Sequence, residues 1–97
     1  MTKPYVYRDW IIRPDMLESL QAYVEKRRPV GDFLTAALEN DLVRACSYAD
    51  DDNLNNIPAF AAWLYNECPS RAWGSPEKVR AWLIPHEVID EVKRVVR

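Results

Sequence analysis

The residues able to do chemistry in this 97-residue chain are few and widely spaced. The densest group is Asp50, Asp51, Asp52, Asn53, Asn55 and Asn56, set around Leu54. Such a run of side-chain oxygens invites a calcium reading. An EF-hand loop places ligands at alternating positions, with a glycine sixth and a glutamate twelfth. Counted from Asp51, the sixth residue is Asn56 and the twelfth is Ala62; counted from Asp50, the fifth is Leu54. Neither register fits, so the run reads as an acidic helix-capping loop. His86 is the only histidine, with no serine or cysteine motif-paired to it, and it reads as a solvated surface residue. One histidine and two distant cysteines match no zinc spacing. Ser70, Ser75 and Thr35 lack a nucleophile elbow, and two glycines are too few for the usual phosphate loops. Glu39 and Asp41 flank Asn40 on an expected helix, where near neighbours point apart and form no dyad. The chain therefore reads as non-enzymatic, with no catalytic residues, no metal ligands and no cofactor.

Charge and aromatic side chains are the remaining candidates. Basic residues gather at Lys26-Arg27-Arg28 and at Lys93-Arg94 with Arg97, with Arg71, Lys78 and Arg80 between them. Cations at helix C-termini are favoured by the helix dipole alone. The functional alternative is an anion site for a phosphate, a nucleotide or an acidic partner. Tyr5, Tyr7, Trp10, Tyr48, Tyr65 and Trp73 are a large aromatic set for so small a chain. Exposed aromatic and arginine side chains are the stuff of interface hot spots. The interaction residues expected on this ground are Tyr5, Tyr7, Trp10, Arg27, Arg28, Arg71 and Trp73.

The elements that must position these groups follow from periodicity and punctuation. Residues 1–13 alternate loosely, with Tyr5 and Tyr7 on one side and Val6, Arg8 and Trp10 on the other, which suggests an extended arm. A strand with no readable partner calls for a second copy, so the arm predicts a homodimer. Pro14 opens a helix whose face is Met16, Leu17, Leu20, Tyr23 and Val24, and Pro29 stops it. Asp32 is the expected cap of a second helix carrying the stripe Leu34, Leu38, Leu42, Ala45 and Ala49, with Phe33, Ala37 and Cys46 widening it. A third helix runs from about Pro58 to Glu67, with Phe60, Ala61, Leu64 and Cys68 on one face. Ser75 caps a fourth that begins at Pro76, and Trp63 and Trp82 are expected to pack near the Pro69–Gly74 corner between the two. A last helix after Pro85 has Val88, Ile89, Val92, Val95 and Val96 as its stripe. The fold class is all-α: one domain over 1–97, with a 1–13 arm and a compact 14–97 bundle of four to five short helices.

Composition narrows the partners. Thirteen basic and fifteen acidic residues give a net charge of −2, against the basic surplus that duplex binding needs. The second helix is acidic and apolar where a recognition helix needs Arg, Lys, Asn or Gln, which disfavours nucleic acid. Cys46 and Cys68 read as reduced core thiols. The segment MTKPYVYRDW has no signal-like apolar run, and no stretch approaches ~20 apolar residues. A cytoplasmic protein with no membrane contact is the expectation.

Read together, Pro14-Asp15-Met16, Gly31-Asp32-Phe33-Leu34, Glu39-Asn40-Asp41-Leu42, Ala49-Asp50, Trp63-Leu64-Tyr65-Asn66-Glu67 and Trp73-Gly74-Ser75-Pro76-Glu77 resemble a group of small helical proteins of tailed bacteriophages and prophages. The resemblance covers residues 14 to about 83 and rests on the spacing of the two Trp-containing motifs. It transfers no residue roles. It implies an accessory protein of host takeover or anti-defence type, acting in the host cytoplasm by binding a host or defence protein. Two other readings stand beside it: an oligomeric binder that sequesters a nucleotide signal, and a DNA-binding regulator.

Overall fold

The computed structural model describes residues 3–84; the expected last helix with its valine stripe, and His86, lie outside them. Two short strands, β1 (Tyr5–Tyr7) and β2 (Trp10–Ile12), are followed by α1 (Pro14–Lys26), α2 (Asp32–Leu38), α3 (Leu42–Tyr48), α4 (Asp51–Asn55), α5 (Ile57–Glu67) and α6 (Pro76–Leu83). The protein is mostly helical but not purely all-α.

The first correction is at the arm. It is an antiparallel hairpin, with Tyr5 opposite Ile12, Val6 opposite Ile11 and Tyr7 opposite Trp10. Arg8, at φ 55°, takes the left-handed turn position between the strands. The two-residue turn reverses the parity read along a straight strand. Tyr7 and Trp10 therefore share a face, their rings stacked with centroids 6.4 Å apart. That face packs on α5, where Ile12 is fully buried, while Val6 and Ile11 point outward. The N–H of Ile11 donates to Oδ1 of Asn56. The arm thus finds its partner strand within the chain, and the unpaired-backbone argument for a dimer does not apply to it.

The second correction is at residues 39–41, where the expected second helix divides. Asn40 is left-handed at φ 62°. The N–H of Asp41 reaches the carbonyl of Ala36, and that of Asn40 reaches Ala37. This is the Schellman ending of a helix, with asparagine in the left-handed position that glycine more often fills. Asp41 then caps α3, accepting from the N–H of Arg44. The break turns Leu42 out to solvent, and Cys46, expected in the core, is exposed. At the start of α2 the cap is Gly31 rather than Asp32, which is the first helical residue.

Other boundaries follow the residues that encode them. Pro14 and Pro76 stand in first turns, and Ser75 Oγ accepts from the N–H of Lys78. The acidic run caps α4: Asp50 accepts from the N–H of Asn53 at 2.8 Å. Arg13 gathers Asp15, Asp50 and Asp52 around one guanidinium. Backbone donation from Asn53, then Arg13, holds the Asp50 carboxyl below the usual carboxylate range.

The core joins Leu17, Leu20 and Tyr23 of α1 to Phe33, Leu34 and Leu38 of α2 and to Phe60, Trp63 and Leu64 of α5. Phe33 and Phe60 meet edge to face at 5.0 Å. Tyr23 is completely buried and is the link to the corner before α6. Its hydroxyl donates to the carbonyl of Ala72 at 2.6 Å, and its own carbonyl accepts from Nε1 of Trp82 at 2.9 Å. Burial pushes the Tyr23 phenol far above its ordinary value. Gly74, at φ 118°, turns the corner and donates its N–H to Leu38 at 2.7 Å. Trp63 is buried in the core; Trp82 is half-buried against it.

Candidate interaction surface

The expected interaction residues fall into two groups on different elements. Tyr5, Tyr7 and Trp10 are brought together on the inner face of the hairpin, half-buried against the core. Arg27, Arg28, Arg71 and Trp73 belong to the end of α1 and the corner before α6. Arg27 is committed there. Its guanidinium lies 3.5 Å from the centroid of the Trp82 ring and donates to the Trp82 carbonyl at 2.9 Å. Its backbone is left-handed at φ 55°, which ends α1 and aims the side chain at α6. Trp73 is half-buried against the core, whereas Arg28 and Arg71 are exposed. The corner is therefore a packed junction more than an open aromatic–arginine patch.

Exposed aromatic surface lies elsewhere. Tyr65 is 82% exposed on α5. It borders a shallow depression shared with Tyr7, Pro58, Ala61 and Asn66, of about 370 Å³. The Arg8 guanidinium lies over the Tyr7 ring, 5.2 Å from its centroid. Tyr7, of the expected set, is thus joined by Arg8 and Tyr65, which sequence reasoning left out of it. Periodicity carried a signal for Tyr65. It follows the buried pair Trp63 and Leu64, so a helical step of about 100° must turn it away from the core.

Ala61 also lines a groove of about 90 Å³ between α3 and α5. Its lining is apolar, with Leu42, Ala45, Ile57, Phe60, Ala61 and Leu64, and Asp41 is its one charged member. Leu42 is 65% exposed and Val43 is 77% exposed. No sequence signal marked these two, because the apolar stripe runs unbroken through the position where the backbone turns. Beside them Arg44 stands between Glu39 at 3.5 Å and Asp41 at 3.9 Å, with the Tyr48 ring 5.8 Å away. Helix α3 buries only Ala45.

A further cavity, of about 200 Å³ between α1 and α5, is lined by Gln21, Val24, Glu25, Trp63 and Glu67. Its charges are negative, the wrong sign for a phosphate. Among the described residues no three His, Cys, Asp or Glu side chains are grouped to hold a metal ion, and no helix is long and apolar enough to cross a membrane. Cys68 is buried, and that burial raises its thiol to about 11. In comparisons with protein-family models, curated proteins and solved structures, nothing matches this chain.

Proposed function

We propose that this chain is a non-enzymatic binding protein that attaches to a folded protein partner through the Tyr7–Arg8–Tyr65 surface. The observation that carries the proposal is Tyr65, a large aromatic left 82% exposed beside Tyr7 and Pro58 in an open depression. An aromatic with an arginine-capped neighbour gives large contact area and a directional polar edge, the pairing enriched in hot spots. The bacteriophage resemblance adds the class of partner: a host or defence protein whose activity the binding alters, in the host cytoplasm. Homodimerisation remains compatible with this reading, through the same surface.

The nucleotide-sequestering alternative needs cations and an aromatic converging on one cavity. The three described cavities carry no Lys or Arg in their linings, so that reading would need a subunit interface to supply them. A DNA-binding regulator is supported less, since the helix pair that would present a recognition helix is interrupted at Asn40.

The test is capture from host lysate on immobilised protein, followed by binding of the purified candidate. Tyr65→Ala and Arg8→Ala should each weaken that binding at least tenfold while leaving the thermal melt of the protein in place. A captured protein that binds both variants as tightly as the parent chain would refute the assignment of this surface.

A further inference from the structure

We infer that the partner contributes an extended segment, which pairs with the outer edge of β1 and lies across the Tyr65 depression. The inference rests on the proposed function and deepens it, by naming how the partner docks on that same surface. Its starting point is the hairpin register. Ile11 sends its N–H to Asn56, away from β1. In an antiparallel pair, two residues directly opposite either bond to each other or both turn their backbone groups away. Val6 is opposite Ile11, so its N–H and C=O also point away from the hairpin. On the β2 side, Asn56 takes the N–H of Ile11. On the β1 side, neither backbone group of Val6 has a partner among the described residues, and Val6 is 62% exposed. Pro4 has no N–H to give, so Val6 is the donor of this edge and the paired stretch is short.

The ground beside that edge suits a third strand. Tyr7 is the hairpin residue that lines the depression, and no residue of β2 does, so the depression lies on the β1 side. The rest of its lining is α5, with Pro58, Ala61 and Ala62 beside the exposed Tyr65. A strand paired with β1 runs about 4.8 Å from it. Directly opposite residues share a face. The partner residue opposite Val6 therefore points outward, and its two neighbours, opposite Tyr5 and Tyr7, point toward α5. The small alanines leave room for apolar side chains at those two positions, next to the Tyr65 ring. Charge sets the ends. Lys3 and Arg8 flank β1, both are exposed, and neither forms an ion pair among the described residues. Asp9 is the single acidic residue beside them. The segment that fits is extended, apolar at alternate positions and acidic at its ends.

The probe is a short capped peptide with valine at alternate positions, threonine between them and glutamate at both ends. It is titrated into the full-length, isotope-labelled protein and followed by NMR. Saturating peptide should slow solvent exchange of the Val6 amide by about tenfold or more. Val6→Pro removes the outward donor and costs the hairpin no bond of its own, since proline is tolerated where a strand N–H faces solvent. It should weaken peptide binding about tenfold, as the loss of one backbone hydrogen bond does. Val6→Thr keeps the N–H and should bind as the parent does. Where Val6→Pro also lowers the thermal melt, exchange of the Val6 amide in the parent decides in its place. Absence of peptide binding at millimolar concentration, or binding that leaves Val6 exchange unchanged, overturns the inference. So does Val6 exchange that slows with protein concentration alone, because a second copy would then hold the edge. Tyr65→Ala separates the two readings in capture of the partner from lysate. If it weakens capture and Val6→Pro does not, the surface stands and the strand pairing falls; if neither variant weakens capture, the proposed function falls as well.

Discussion

Replacing Tyr23 by phenylalanine isolates one hydrogen bond at the junction of α1 with the corner before α6. The ring stays and only the hydroxyl is lost. That hydroxyl donates to the Ala72 carbonyl at 2.6 Å, and both residues are fully buried. The Ala72 carbonyl then loses the phenolic donor, and water is shut out. Orphaning a buried polar group costs about 1–3 kcal/mol. Folded domains are stable by only about 5–15 kcal/mol, so the loss is a sizeable fraction. In urea, where the slope is about 1–3 kcal/mol per molar, the midpoint should fall by roughly 1 M with the slope unchanged. By heat, at about 4–8 °C per kcal/mol, Tm should drop by around 10 °C. The same bond has a second signature. Five tyrosines are present, and Tyr23 is held protonated above its ordinary range, chiefly by burial. A raised folded value means stability complete below pH ~10 and lost as pH climbs beyond it. Spectrophotometric titration of the parent should therefore show one phenol ionising only as the protein unfolds, and Tyr23→Phe should remove that step. A variant whose urea midpoint and alkaline titration both match the parent would refute the reasoning.

Four further outcomes are expected. Asp50→Asn should flatten stability against pH at the acid end: the Asp50 carboxyl is held low by the Asn53 N–H and by Arg13, so its contribution is complete above pH ~4 and lost as pH falls, which urea melts at graded pH will read. Gly74→Ala should cost about 1–3 kcal/mol from backbone strain at φ 118°, since an added Cβ would meet only the Lys78 side chain at 3.7 Å; thermal melts check it. Asn40→Gly should be near neutral and Asn40→Val destabilising by about 1–2 kcal/mol, because only the second resists the left-handed position that divides α2 from α3. Cys68 should resist thiol reagents until the protein unfolds, as a buried thiol raised to about 11 holds almost no thiolate at neutral pH, measured by mass spectrometry of alkylated protein.

Several elements were legible in sequence because their signals are local. Pro14, and Ser75 with Pro76, mark helix starts through single-residue geometry, and α1 and α6 begin there. The acidic run was legible as a cap for the same reason. The hairpin was not. Its strands are three residues each, and its turn uses Arg8 and Asp9 in place of the glycine or asparagine that such turns usually show. The division at Asn40 was hidden by Leu34, Leu38, Leu42 and Ala45, whose spacing suits one helix as well as two. The candidate surface was less legible than the fold. Arg27 reads as a cation at a helix end, and nothing local says that a tryptophan 55 residues later will take it. Tyr65 was readable from its neighbours, whereas Leu42 and Val43 depend on a turn that the pattern conceals.

The junction between α1 and the α6 region has a consequence for how the family of tolerated sequences would look. Its three long-range hydrogen bonds run from a side chain to a backbone carbonyl: Tyr23 to Ala72, Arg27 to Trp82 and Trp82 to Tyr23. A carbonyl is supplied by every residue, so these bonds constrain the donor and are indifferent to the side chain at the acceptor. Substitutions at Ala72 would be screened by volume alone, with no compensating change required at Tyr23. Paired changes between positions, the usual statistical trace of a contact, would be faint here. Diverging copies of this chain would hold Tyr23, Arg27 and Trp82 as separate fixed points, while the exposed positions between Pro76 and Trp82 drift freely around them.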